Sequence, residues 1–129
     1  MREVLRRLNN LSGMRGSLVA TPDGLPIASD LPSNMEVEET AGLGACMGRL
    51  LCDFAGEIGM RDINLGVLES NAARLFISRI SWGFLIAVAD KQCPLGEARI
   101  EMRQAAGRLN DICAQLSSYL QEEQNSENP

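Results

Sequence analysis

Residues 36–59 read EVEETAGLGACMGRLLCDFAGEIG. The apolar side chains Leu43, Met47, Leu50, Leu51, Phe54 and Ile58 recur there at helical spacing and share one face. The stretch predicts a helix, although Gly42, Gly44, Gly48 and Gly56 stand inside it. Each interior glycine costs a helix roughly 0.8–1 kcal/mol against alanine, so four cost about 3–4 kcal/mol. A small domain has only about 5–15 kcal/mol to lose, so close approach of another backbone is the expected offset. On a helical wheel Ala41, Gly44, Gly48, Cys52 and Ala55 form a stripe of small residues beside the large apolar face. Gly42, Ala45 and Gly56 extend that smooth surface toward the polar side. The expectation is that the large face packs on a sheet. The small stripe then packs on a second helix, the same helix of another copy.

Upstream, Val4, Leu5, Leu8 and Leu11 predict a short helix closed by Gly13. Strands are expected at 17–21 and 25–29, joined by the turn Pro22-Asp23-Gly24. Pro26 assigns the second strand to an edge or a bulge. Downstream, residues 62–69 alternate, with Ile63, Leu65 and Val67 on one side. Strands at 73–80 and 82–89 follow, and the last is apolar on both faces, as a covered central strand would be. Leu95 opens a long helix whose buried stripe is Ala98, Met102, Ala105, Leu109, Ile112 and Leu116. The acidic stretch 121–129, QEEQNSENP, is expected to be a disordered tail on a domain of residues 1–120. The order αββαβββα makes this an α+β chain with one antiparallel five-stranded sheet. The middle helix is expected on one face and the terminal helices on the other.

Twelve basic residues against seventeen acidic ones give a net charge of −5. That balance disfavours nucleic acid and anionic membrane surfaces as partners. The longest apolar run, residues 83–89, is far short of a membrane span, and the opening MREVLRRLNN has no apolar run behind it. A cytoplasmic location is expected. The cysteines Cys46, Cys52, Cys93 and Cys113 form no CxxC pair, and the chain has no histidine. Zinc sites of the usual spacing are thereby excluded, and the cysteines read as small packing residues with free thiols.

Without histidine, acid–base or nucleophilic catalysis has no obvious base, so no enzyme is expected. Glu36, Glu38 and Glu39 suit the positive end of a helix dipole better than a catalytic pair. No glycine pattern fits a phosphate loop, because GLGACMG lies inside a helix, so no nucleotide or other cofactor is expected. Arginine outnumbers lysine 11 to 1. Arg49 on the polar face admits three roles: an arginine finger for a GTPase, a contact to a partner, or an ion pair with Asp53 four residues on.

LSGMRGSLVATPDGLPIAS at 11–29 and CPLGEARIEMRQAAGRL at 93–109, with the element order and the glycine-rich helix between them, resemble the roadblock/dynein light-chain family. The likeness is to its bacterial and archaeal, MglB-like branch and spans about Leu8 to Leu116. It implies a non-enzymatic homodimer whose sheets join edge to edge through the strand at 62–69, with the middle helices side by side. It also implies a platform on those helices for a small Ras-like GTPase, whose hydrolysis is accelerated by reshaping its switch regions. Other members of the family scaffold GTPases or dynein chains. The expected dimer residues are Ala41, Gly44, Gly48, Cys52, Ala55, Ile63, Leu65 and Val67. The expected platform is Glu38, Gly42, Ala45, Arg49, Asp53 and Gly56. Alternatives are a structural adaptor of GTPase or motor complexes and a PAS- or profilin-like small-molecule sensor. The sensor needs a pocket with a polar handle, whereas the inward faces read as aliphatic.

Overall fold

A computed structural model describes residues 1–127, with side chains described through 124. The elements are α1 (Arg2–Asn9), β1 (Met14–Ala20), β2 (Pro26–Asp30), α2 (Val37–Glu57), β3 (Gly66–Glu69), β4 (Ala73–Ile80), β5 (Gly83–Asp90) and α3 (Leu95–Glu127). The five strands form one antiparallel sheet in the order β2-β1-β5-β4-β3. The expected α+β architecture is therefore present.

β5 is central and almost wholly buried, as its two-sided apolar pattern requires. β2, with Pro26, lies at one edge, where a missing N–H leaves no ladder bond unmade. The β1–β2 register also shifts between Val19 and Ala20, beside that proline. Val4, Leu5 and Leu8 of α1 and Ala98, Met102, Ala105 and Leu109 of α3 pack on one face with Val19, Phe76 and Leu85. Leu18, Ile77, Phe84 and Ile86 form the other face under Ala41 and Ala45 of α2. The Ser17 hydroxyl, buried under α1, donates to Asn9 Oδ1 at 2.9 Å. Asn9 Nδ2 donates to the carbonyl and the carboxylate of Asp30 at 2.8 and 2.9 Å. This network ties α1 to both strands of the first hairpin.

Two boundaries differ from expectation. Regular pairing of β3 begins only at Gly66, because Asp62 holds a positive φ of 56° that takes 62–65 off the sheet. At the C-terminus the helix does not stop near Leu120. It runs to Glu127, through most of the stretch expected to be disordered, and residues 128–129 lie outside the described part. Glutamine and glutamate are good helix formers, and extending an existing helix is far easier than starting one. In α3 the buried stripe ends with Cys113, and Leu116 is exposed where Ala98, Met102, Ala105 and Leu109 are not.

Candidate interaction surface

α2 presents three faces, each repeating at three- and four-residue intervals. The first is the small stripe. Ala41, Gly44, Gly48 and Ala55 are buried, and Cys52 is half-buried on the same cluster. A Cβ on Gly48 would lie 2.7 Å from Cδ1 of Phe84, and one on Gly44 would collide with Cδ1 of Ile86. The stripe thus faces this chain's own sheet, and its expected role as a helix–helix seam is corrected. The reason is volume. Phe84, Ile86 and Ile77 fill the space above the sheet, and only a helix nearly without side chains settles on them at interior packing density.

The second face is the large apolar one, and it is turned outward. Leu43, Leu50, Phe54 and Ile58 are 63, 56, 64 and 56% exposed. Met47 and Leu51, expected with them, are half-buried on the sheet cluster instead. Leu51 also reaches β3, its Cδ1 lying 2.6 Å from where a Cβ on Gly66 would stand. Leu51 thus covers the start of β3. Leu65 and Val67 lean inward, half-buried against the α1–α3 side of the core, and Ile63 is half-buried in the connection before β3. What β3 offers outward is its backbone, unpaired on one side among the described residues.

The third face is polar. Glu38, Asp53 and Gly56 are exposed there. Ala45 is fully buried, so its expected place on a platform is corrected. Arg49 turns away from Asp53: its Nη1 donates to the Pro22 carbonyl in the β1–β2 turn. The same turn rests on Gly42. Gly24 has a φ of +92°, and a Cβ on it would stand 2.9 Å from Gly42 Cα. Gly42 and Arg49 thus dock the hairpin tip on α2, a contact 27 residues apart that no local pattern reveals. No contact within the chain accounts for Gly56.

The Roadblock/LC7 domain pattern matches residues 1–90. The chain belongs to the Roadblock/LC7 family. Relatives in Methanocaldococcus jannaschii include the uncharacterised proteins MJ0310, 31% identical over 82% of this chain and 93% of that one, and MJ0714, 30% identical over 82% and 90%. Solved structures with the same fold include Myxococcus xanthus MglB, with a TM-score of 0.82 at 20% identity over 89% of this chain and 88% of that chain. A Roadblock/LC7 domain from Streptomyces avermitilis gives 0.81 at 16% identity, covering 88 and 98%. The gliding protein MglB of Thermus thermophilus gives 0.79 at 21%, covering 88 and 87%.

In this Roadblock/LC7 chain the cysteines are not equivalent. Cys93 and Cys113 are buried, whereas Cys46 is exposed on α2, unlike the packing residue expected. Burial pushes both buried thiols above the ordinary range. For Cys93 the nearby Arg74 opposes the shift, while Asp90 and Glu97 add to it. Thiolate is the reactive form, so maleimide at neutral pH should label Cys46 first. Cys93 and Cys113 should react only once the chain is denatured. Early labelling of Cys113, followed by mass spectrometry, would contradict the packing of α3.

Proposed function

We propose that the chain acts as a homodimer that docks a small Ras-like GTPase and does no chemistry of its own. In this reading two copies join β3 to β3 and set their α2 helices side by side. The outward apolar face of α2 is the observation that carries it. Four large side chains, more than half exposed, on a domain whose sheet ends in an open strand edge, are a surface that a partner covers. Family membership and the likeness to MglB support the same reading. The polar face, with Glu38, Asp53 and Gly56, then remains free on the assembled pair for the GTPase. Arg49, engaged with Pro22, is suited to shaping that platform rather than to entering a partner's active site. Action through the partner's switch regions fits better than a donated arginine.

The test is affinity capture from native lysate, run with a non-hydrolysable GTP analogue and with GDP, and read by mass spectrometry. A GTPase retained only in the GTP-like state supports a regulator, and one retained in both states supports a scaffold. Asp53→Arg reverses a charge on the exposed face without touching the core. It is expected to weaken capture about tenfold or more, as loss of a charged interface contact does, while the dimer persists. Unchanged capture would remove the polar face of α2 from the interface, and no GTPase in either state would overturn the reading.

A further inference from the structure

Beneath the β3 end of the sheet lies a cavity of about 700 Å³, bounded by the 60–65 connection, β4 and α3. Arg61, Arg99 and Arg103 line it with the single carboxylate of Asp62, while Arg79 of β4 borders it with its side chain on the α2 face beside Phe84. The three arginines and Asp62 leave a local excess of two positive charges in a chain whose net charge is −5. The ion pairs Arg15–Asp90 and Arg74–Glu69 leave these three arginines out. No hydrogen bond holds any of their side chains among the described residues. Three guanidinium groups lining one cavity against a single carboxylate leave a net positive field there, and an oxyanion shared between them would be favoured.

Met60, Leu65, Val67, Met102 and Ala106 give the cavity an apolar floor, with Asn64, Ser78 and Asn110 as further polar lining. Its volume suits a small organic ligand. Gly107 lies on the α3 wall, and a Cβ there would meet nothing within 4 Å, so the cavity has room for a larger side chain at that point.

We infer that this cavity binds a small organic anion, with a phosphate or polycarboxylate head held by Arg61, Arg99 and Arg103 and an apolar or aromatic body lying on the Met60–Met102 floor. The inference is independent of the GTPase reading, because the cavity is on the α3 side of the sheet and α2 is on the other. The sequence hid it. The inward faces of the strands are aliphatic as expected, and the polar handle comes from arginines on two separate segments, the 60–65 connection and α3.

Calorimetric titration of the full chain with inorganic pyrophosphate, ATP and citrate tests it. Saturable binding of at least one of them, one per chain and weakened by salt, is the expected result. Pyrophosphate and ATP succeeding where citrate fails assigns the head to phosphate, and the converse assigns it to carboxylate. Arg99→Ala together with Arg103→Ala, both exposed, should weaken binding about tenfold or more. Gly107→Leu fills the floor without altering charge, and should abolish any advantage of ATP over pyrophosphate while leaving pyrophosphate binding intact. No saturable binding of any of the three at millimolar concentration would overturn the inference, as would binding that neither variant changes.

Discussion

Gly48→Leu is expected to lose about 3 kcal/mol of stability, because overpacking a well-filled core costs ~1–3 kcal/mol and sometimes more. The single Cβ of alanine would already stand 2.7 Å from two carbons of the Phe84 ring, and leucine adds three more carbons in that direction. The gain in helix propensity, about 0.8–1 kcal/mol, is too small to offset this. In a domain of this size the melting temperature should fall by roughly 10 °C. Gly56→Ala is the control of opposite sign. Nothing lies within 4 Å of a Cβ there, so the variant should gain up to about 0.8 kcal/mol from propensity alone. Denaturant unfolding at one fixed protein concentration separates the two, since self-association would otherwise enter the comparison. A Gly48→Leu chain as stable as the parent would put the small stripe somewhere other than on Phe84.

Leu50→Glu with Phe54→Glu is expected to convert the chain to a folded monomer. Both side chains are more than half exposed in the single chain, so glutamate there disturbs no core and the circular dichroism spectrum should hardly change. In the proposed dimer both side chains lie between the two α2 helices. Full burial of a leucine or phenylalanine contributes about 1.5–3 kcal/mol. Losing two such contributions and placing carboxylates in the seam should weaken the dimer by about 4 kcal/mol, a factor near 1,000. Light scattering across a dilution series reads this directly. A double variant that associates as tightly as the parent would show that the outward face of α2 is not the seam.

The element order, the covered central strand and the edge position of Pro26 were legible because each follows from local periodicity or from what one residue type forbids. The orientation of α2 was not. Side-chain size alone does not say which face of an apolar helix is inside. Here the sheet's own Phe84 and Ile86 take up the interior volume, so the glycines go in and Leu43, Leu50, Phe54 and Ile58 go out. The bulky residues on both faces of β5 were the available signal, since large side chains on a sheet call for small ones on the helix above it. Glu38, Asp53 and Gly56 of the expected platform remain on the surface, and Ala45 does not. The tie from Arg49 to Pro22, and the shared cavity of Arg61, Arg99 and Arg103, join segments far apart in the chain. No spacing rule reaches them.

The central claim is that the outward apolar face of α2 and the open edge of β3 are covered by a second copy. Sedimentation equilibrium of the unmodified chain at micromolar concentration tests it most directly. The account predicts a species of twice the 14.0 kDa chain mass. A mass of 14.0 kDa that persists to tens of micromolar would contradict it.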